Sequence, residues 1–295
     1  MPSPALLQTV LREMITRERS PRTPEPDLVM DDPDNVAAYV EAGREDAVMA
    51  PVYLFHGANI CEVIRPGDTV LDLACGPANQ LALVARLNPD VNFIGLDLSE
   101  PMLEQARELI ASKGLRNVSF RHGDITDLSM FGPDSVDAVV STMALHHLPS
   151  VAALGRTYAE VARILKPGGG IYMVDFGHLK AQASIDYFGN QYADRQPALF
   201  TLDYLNSLHA AFYPDDIARA AQPLAGQARV YKTFGLPFMV ALKSSPRRGH
   251  DAALEARLEG LKKGLPEWHK TDLADLIRHF RMGGMRCAPL GNAPA

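Results

Sequence analysis

The sequence has few cysteines, no excess of positive charge and no long apolar run, and each absence excludes a class of protein. Its three cysteines, at positions 61, 75 and 287, are too few and too widely spaced for a disulfide framework or a CxxC metal knuckle. A reducing, cytoplasmic compartment is therefore expected, and no metal site is predicted. The formal net charge of −6 speaks against a broad nucleic-acid-binding surface, which needs clustered Lys and Arg.

Charged residues interrupt the N-terminus, so no signal peptide is expected there. No window holds about 18 uninterrupted apolar residues, so no membrane-spanning helix is expected either. A chain of 295 residues that is 47% hydrophobic suits one α/β domain with appended segments, or at most two domains. We predict a helical N-terminal arm or lid over residues 1–60 and a main domain over 61–245. A helical cap is inserted at about 178–225, and a helical extension follows over 246–295.

Apolar segments alternate with amphipathic segments between residues 65 and 176. The apolar segments are DTVLDLA, NFIGLDL, NVSFRHGDI, SVDAVVSTM and GIYMVDFG. Strands that alternate with helices of about 10–15 residues indicate a parallel sheet with helices on both faces. The prediction is a Rossmann-like, doubly wound α/β fold. ARVYKTFG and PFMVALKSS add two further strands, which we expect to form an antiparallel edge.

The first predicted strand leads into a loop of small residues in VLDLACGPANQ, Val70 to Gln80. Such a loop lets a ligand approach the backbone closely. Asp97 ends the second strand, where a carboxylate can accept hydrogen bonds from both ribose hydroxyls. The loop lacks the GxGxxG pattern of dinucleotide sites, and the helix after it lacks the lysine of a P-loop. The expected ligand is a nucleoside without a phosphate tail.

Five motifs resemble, in order, those of class I S-adenosylmethionine-dependent methyltransferases. They are VLDLACGPANQ, FIGLDLSEPML, GDITDL, VDAVVSTMALHHLP and LKPGGGIYMVDF. The resemblance covers roughly residues 60–180, with weaker support to 245. The chain departs from the family's D/E-x-G-x-G-x-G pattern at Ala74 and Ala78, and alanine disfavours the positive φ angles that glycine adopts freely.

The resemblance implies S-adenosylmethionine as the cofactor and S-adenosylhomocysteine as its product. The methionine part would meet Asp72, Ala74 and Gly76, and the ribose would meet Asp97. The remaining implied contacts are Leu98, Met102, Asp124 and Ile125 at the adenine, and Ser141, Thr142 and Met143 beside the transferred methyl group. Alternatives stay open: Asp72 as a turn cap, Met102 as helix core, and Asp127 in place of Asp124.

A general base is needed when the methyl acceptor is a hydroxyl or a protonated amine, but hardly for a thiolate or a metalloid. His146, His147 and Asp175 are the candidate catalytic residues; the alternative is that the two histidines only pack and bond to the backbone. The family members that methylate base amino groups or glutamine carry an Asn/Asp-Pro-Pro-Tyr/Phe run, which this chain lacks. It also lacks the spaced cysteines that arsenite binding would need.

The candidate lid and substrate residues are polar or aromatic and lie outside the cofactor motifs. They are Tyr39, Tyr53, His56, Phe176, His178, Tyr187, Tyr192 and His209. The alternative is that many of the aromatic residues in the insertion form a helical mini-core. If the rest face the site, the pocket suits a modest organic molecule.

The sequence thus predicts methyl transfer to an oxygen or nitrogen atom of a small molecule. Two alternatives remain, a methyltransferase for RNA or a protein side chain, and a non-catalytic protein that binds the cofactor and serves a partner. Nucleic acid is not expected as a partner, although KSSPRR at 243–248 could form a local basic patch. The C-terminal or cap helices could mediate a homodimer. Leu273, Leu276, Ile277 and Phe280 share one helix face that could serve this or close over the site.

Overall fold

The computed structural model of the chain describes residues 4–26, 29–44 and 46–290. Parts of the predicted arm and extension, at 1–3, 27–28, 45 and 291–295, lie outside these ranges. The strands are β1 Thr69–Leu73, β2 Asn92–Asp97, β3 Val118–His122, β4 Val136–Thr142, β5 Leu165–Phe176, β6 Ala228–Lys232 and β7 Met239–Ser244. They form one sheet in the order β3-β2-β1-β4-β5-β7-β6.

Strands β1 to β5 run parallel, and β7 runs antiparallel to β5 and β6 on either side of it. The predicted doubly wound α/β fold with an antiparallel pair at one edge is confirmed. The chain fills one half of the sheet through β2 and β3, and then returns past β1 to add β4. Ligands of such sheets bind at this switch, beyond the carboxyl ends of the strands.

Alternate residues of β1 face two separate apolar layers. Val70 packs in the layer on one face of the sheet, and Leu71 and Leu73 pack in the layer on the other, as the period of two in a strand requires. Both faces are covered by helices, of which α4 Asn79–Leu87, α5 Glu100–Ser112 and α6 Val151–Ile164 lie within the main domain. Burial on both faces explains why the strands are nearly all apolar.

Strand β5 begins at Leu165, earlier than the predicted strand segment GIYMVDFG, because LKPGGG belongs to it as well. Leu165 pairs with Val136 and Gly170 pairs with Ala138, with a shift in register between them. A Cβ atom at Gly170 would lie 2.0 Å from the carbonyl oxygen of Val63. Glycine is therefore required where the end of a helix approaches the strand.

The N-terminal segment forms α1 Pro4–Ile15, α2 Pro33–Ala42 and α3 Ala50–Val63. Between β5 and β6 the chain forms α7 Gln182–Gly189, α8 Ala198–Ala210 and α9 Pro214–Ala220. Helix α2 packs on α8, so the arm and the inserted helices meet above the carboxyl edge of the sheet. Together they cover the side of the sheet where a ligand is expected.

The C-terminal segment forms α10 Ala252–Gly264 and α11 Glu267–Met282. Helix α11 packs on α3 of the same chain, and Phe280 stacks on Phe55 with ring centroids 5.3 Å apart. Leu273 and Ile277 are buried in the same layer. This apolar face is therefore used within the chain, and a homodimer through other helix surfaces stays a prediction.

Candidate functional site

The loop after β1 turns sharply because three of its residues adopt left-handed backbone conformations. The φ angles are 52° at Ala74, 53° at Gly76 and 64° at Ala78. A left-handed conformation costs an L-residue about 1–2 kcal/mol, so the two alanines keep the loop geometry at an energetic cost. The backbone N–H of Gly76 donates to Oδ2 of Asp97 over 2.7 Å, which ties the loop to the end of β2.

The carboxyl groups of the buried Asp72 and the half-buried Asp97 face the same space at the ends of β1 and β2. Asp97 accepts from the backbone N–H of Ser99 with its other oxygen, over 2.9 Å. Burial raises the pKa of Asp97, and the hydrogen bonds from Ser99 and Gly76 oppose this. Burial, and then the charge of Asp97, raise the pKa of Asp72 to about 8. Burial makes both groups costly to ionise, and a cationic or hydrogen-bond-donating ligand would offset that cost.

A cavity of about 200 Å³ opens at the carboxyl ends of these strands. Ten of the eleven predicted cofactor residues line it: Asp72, Ala74, Gly76, Asp97, Leu98, Met102, Asp124, Ile125, Thr142 and Met143. Tyr39 and Tyr53 line it as well. The exception is Ser141, whose buried hydroxyl donates to the carbonyl oxygen of Leu73 over 3.0 Å. Its side chain links two strands and does not line the cavity, which corrects its assignment to the cofactor.

The arm supplies cavity residues that the sequence did not identify. Val29 and Met30 line the first cavity, and the hydroxyl of Ser99 donates to the carbonyl oxygen of Met30 over 2.9 Å. The same hydroxyl meets Oδ1 of Asp31 at 2.7 Å. The sequence analysis placed this stretch in the arm or lid but named no cavity residue in it, because its prolines and acids carry no periodic signal.

A second cavity, of about 110 Å³, adjoins the first one, and Tyr39, Met143 and His147 line both. Its walls are mainly aromatic and aliphatic side chains from α2, α3, α8, α11 and the end of β5. The aromatic residues are Tyr39, Phe176, Tyr192, Phe200, Tyr204 and Phe238. Five polar side chains other than tyrosine join them: His146, His147, Gln196, Asp203 and Ser207. The two cavities thus meet at three shared residues, but the rest of their linings differ.

His146 is fixed at this junction by Asp175. Its Nδ1 lies 2.7 Å from Oδ1 of Asp175, and its backbone N–H donates to Oδ2 of the same residue over 2.6 Å. The two residues meet because a short 3₁₀ turn, Leu145–His147, follows β4 beside the end of β5. Burial lowers the pKa of His146, but the carboxylates of Asp175, Glu25 and Asp203 outweigh this and raise it.

Glu25 reaches the same place from the arm and was missed by the sequence analysis. Its side chain is only 4% exposed, and its Oε1 lies 4.0 Å from Nε2 of His146. Burial raises the pKa of Glu25, and the charge of His146 opposes this. Arg22 holds the arm in place: its guanidinium donates to the carbonyl oxygens of His146 and Leu148 over 3.0 and 2.7 Å.

Four of the predicted lid and substrate residues line neither cavity, and neither does the predicted catalytic residue Asp175. His56 is fully buried, its Nδ1 lies 2.7 Å from the hydroxyl of Tyr172, and burial lowers its pKa to about 3. His178 bonds to Ser20 of the arm, and His209 lies beside Gln182. Tyr187 lines a neighbouring apolar groove. These corrections share one cause: each side chain points between helices or toward the arm, and the sequence does not reveal that direction.

Three features are typical of an α/β protein that binds a nucleoside. They are the strand order of the sheet, the left-handed loop after β1 and the acidic residue at the end of β2. Residues 64–211 match the family described as a methyltransferase domain. The chain therefore belongs to this family, the class I S-adenosylmethionine-dependent methyltransferases, and S-adenosylmethionine is its cofactor. No helix within the described residues is both long enough and apolar enough to cross a membrane.

Curated relatives resemble only part of this chain. A demethylmenaquinone methyltransferase of Symbiobacterium thermophilum is 38% identical over 107 residues, which is 36% of this chain and 41% of that protein. An arsenite methyltransferase of Halobacterium salinarum is 35% identical over 113 residues, which is 38% of this chain and 28% of that protein. The chain thus spans less than half the length of these two relatives.

Solved structures share the fold. The plantazolicin methyltransferase, solved with a substrate analogue and S-adenosylhomocysteine, superposes with a TM-score of 0.56 at 16% identity, over 80% of this chain and 87% of that one. A methyltransferase from Aquifex aeolicus gives a TM-score of 0.52 at 16% identity, over 73% and 98% of the two chains. At these identities the likeness establishes the fold alone.

Proposed function

We propose that the chain transfers the methyl group of S-adenosylmethionine to an oxygen or nitrogen atom of a small organic molecule in the second cavity. The observation that carries this is the junction of the two cavities. One cavity has the polar and apolar groups that a nucleoside needs, and the other is lined mainly by aromatic rings. Tyr39, Met143 and His147 line both, so molecules in the two cavities would touch there.

The residues of the first cavity suit the cofactor. A carboxylate at Asp97 would hold the ribose hydroxyls, and one at Asp72 would hold the amino group of the methionine part. The buried side chain of Met102 and that of Ile125 would enclose the adenine ring. Asp124 accepts from the backbone N–H of Thr126 through Oδ1 over 2.7 Å, which leaves Oδ2 for the adenine amino group.

The second cavity suits a modest organic molecule better than a polymer. Its volume is about 110 Å³, and the arm, α2 and α8 lie over this edge of the sheet. Apolar and aromatic walls with a few polar groups are typical of small-molecule sites. None of the three cysteines lines this cavity, which favours an oxygen or nitrogen acceptor over a metalloid.

Methyl transfer requires little covalent chemistry from the protein. The bound cofactor supplies a methyl group on a positively charged sulfur. Its transfer would form a bond between a lone pair of the acceptor and the methyl carbon and leave the electron pair of the carbon–sulfur bond on sulfur. The proton of a hydroxyl or protonated amine acceptor would pass to His146 or His147, the candidate bases. The residues of the chain align the acceptor in line with that bond and keep water out of the junction.

The relatives do not select the acceptor. Two of them are named for demethylmenaquinone and for arsenite, which are chemically unrelated molecules. The matched segments cover little more than a third of this chain. The acceptor must therefore be argued from the second cavity of this chain itself.

Two measurements test the proposal. Calorimetry should show micromolar binding of S-adenosylmethionine and S-adenosylhomocysteine and none of NAD. The protein is then incubated with S-adenosylmethionine and cell extract separated into small-molecule and polymer fractions. Formation of S-adenosylhomocysteine should require the small-molecule fraction. Activity confined to the polymer fraction would overturn the acceptor class, and cofactor binding without turnover in any fraction would indicate a non-catalytic protein.

A further inference from the structure

Three buried polar atoms belong to side chains that meet at the junction of the arm and the sheet. They are Oε1 of Glu25, Nε2 of His146 and Nδ1 of His147, and none has a hydrogen-bond partner among the described residues. One ligand atom of each residue lies within 4.8 Å of those of the other two. A buried polar atom without a partner costs about 1–3 kcal/mol. Three such atoms in one place therefore indicate a missing ligand that all three can bind.

The geometry around His146 prepares it to bind through Nε2. Its Nδ1 is engaged by Asp175 over 2.7 Å, so when Nδ1 carries the proton, Nε2 offers a lone pair. Histidines that bind metals almost always donate their other ring N–H to a carboxylate or carbonyl in this way. The ring of His147 lies beside that of His146, with ring centroids 4.5 Å apart, and its buried Nδ1 has no hydrogen-bond partner among the described residues.

We propose that Glu25, His146 and His147 form a binding site for a divalent transition-metal ion of the zinc type. Two imidazole nitrogens and one carboxylate are the ligands of many catalytic zinc sites, which keep another position open. The 4.0 Å between Oε1 of Glu25 and Nε2 of His146 is too long for a hydrogen bond. Two ligand atoms at about 2.1 Å from a tetrahedral ion would lie about 3.4 Å apart, so ligand atoms that lie within 4.8 Å of one another would have to approach by at most about 1.4 Å.

The position of the site gives the ion a role in the proposed methyl transfer, on which this role rests. His146 lines the second cavity, and His147 lines both cavities. An open coordination position there would face the acceptor. A metal ion lowers the pKa of an oxygen that it binds, so it would favour a hydroxyl acceptor in its deprotonated form.

The ion would also join the arm to the main domain. Arg22, three residues before Glu25 in the sequence, already holds the arm in place. Its guanidinium donates hydrogen bonds to the carbonyl oxygens of His146 and Leu148. Metal binding would add a bond that crosses from the arm to the turn after β4. Protection of the arm from a protease should therefore increase with the bound metal.

The test is calorimetric titration of the full-length protein, stripped with a chelator, with ZnCl₂ and separately with CoCl₂. We expect one ion per chain with micromolar or tighter affinity, and visible absorption bands of Co²⁺ in a tetrahedral or five-coordinate site. The variants Glu25→Gln, His146→Ala and His147→Ala should each weaken binding at least tenfold. Asp175→Asn should weaken it about 10-fold to 100-fold through His146.

Matched controls separate this site from binding at the surface and from misfolding. His250→Ala removes an exposed imidazole, and Glu104→Gln removes an exposed carboxylate; neither should change the affinity. Glu25→Gln preserves the size of the side chain, so it tests the site even if His146→Ala fails to fold. S-adenosylhomocysteine binding reports on the fold of every variant except His147→Ala, because His147 also lines the first cavity; circular dichroism reports on the fold of that variant.

The outcomes distinguish this inference from the proposed function. Absence of Zn²⁺ and Co²⁺ binding in a protein that binds S-adenosylhomocysteine would overturn the metal site and leave the methyl transfer proposal standing. Equal metal affinity in Glu25→Gln and wild type would overturn it too. Metal binding at these residues without formation of S-adenosylhomocysteine from any acceptor fraction would support the site and contradict the proposed function.

Discussion

The two cavities differ in how the chain builds them. The first is formed largely by loops that follow consecutive strands, and its key groups, such as Asp72, Gly76 and Asp97, lie within one short stretch of sequence. The second is formed by side chains that come from the arm side, α3, α8 and α11, from Tyr39 to Leu276. A cofactor site built from loops close together in sequence can be shared by many proteins. A site built from side chains of distant helices can change its ligand without changing the cofactor site. The curated relatives, which match only a part of this chain, fit that difference.

The largest effect is expected from a substitution that disrupts the first cavity and leaves the second one intact. Asp97→Ala removes the acceptor of the Gly76 and Ser99 backbone N–H groups together with the proposed ribose contact. Each hydrogen bond to a charged group contributes about 1.5–3 kcal/mol, so affinity for S-adenosylhomocysteine should fall at least 100-fold by calorimetry. Asp127→Asn is the control, because that carboxylate is exposed and lines neither cavity. Binding within threefold of wild type in Asp97→Ala would refute the assignment of the ribose site.

The second-largest effect is expected from a substitution that fills the second cavity and leaves the first one unchanged. Val52 lines it from α3 and is absent from the lining of the first cavity. Val52→Trp would place a large ring in a space of about 110 Å³. Formation of S-adenosylhomocysteine with the small-molecule fraction should fall at least tenfold, while cofactor affinity stays within threefold. Val52→Ala, which leaves the space open, is the control. An unchanged rate in the tryptophan variant would show that the acceptor binds elsewhere.

The same difference explains how much the sequence could predict. The sheet, its antiparallel pair and ten cofactor-cavity residues follow from periodicity and from motifs in which neighbours in sequence act together. The cofactor assignment of Ser141 was wrong because its side chain, at the end of a strand, points to the neighbouring strand and not into the cavity. The sequence does not reveal that direction. Glu25 was missed because the arm that carries it has no periodic pattern, and its place is fixed by contacts with residues more than a hundred positions away. His56 was misassigned since a helix turned by a fraction of a turn presents another residue to the site.

Asp72 makes the first cavity sensitive to pH in a predictable direction. Its pKa is raised to about 8 by burial and by Asp97, above the unfolded value of about 3.9. A group whose pKa is raised in the folded state contributes stability at low pH, and this contribution is lost as the pH rises toward 8. The slope is at most about 1.4 kcal/mol per pH unit. Thermal unfolding between pH 5 and 8 should therefore show a smaller fall of Tm with pH in Asp72→Asn than in wild type.

Cofactor binding sharpens this pH test. The amino group of the cofactor would stabilise ionised Asp72, so saturating S-adenosylmethionine should reduce the fall of Tm with pH in wild type. It should change the slope little in Asp72→Asn. The variant Asp90→Asn, which alters an exposed carboxyl group, should follow the wild-type curve. Equal slopes for Asp72→Asn and wild type would contradict the raised pKa.

The smallest expected effect concerns the backbone of the first cavity. Ala74 has a φ of 52° and is half-buried, so its methyl group adds little packing while its conformation costs about 1–2 kcal/mol. Ala74→Gly would remove that strain, and the greater freedom of glycine in the unfolded chain would cancel about 0.5–1 kcal/mol of the gain. The variant should be more stable by up to about 1.5 kcal/mol in urea unfolding, with unchanged cofactor affinity. Ala82→Gly, inside α4 with ordinary helical geometry, should instead lose about 1 kcal/mol. Destabilisation of equal size in both variants would show that the loop of the first cavity stores no strain at Ala74.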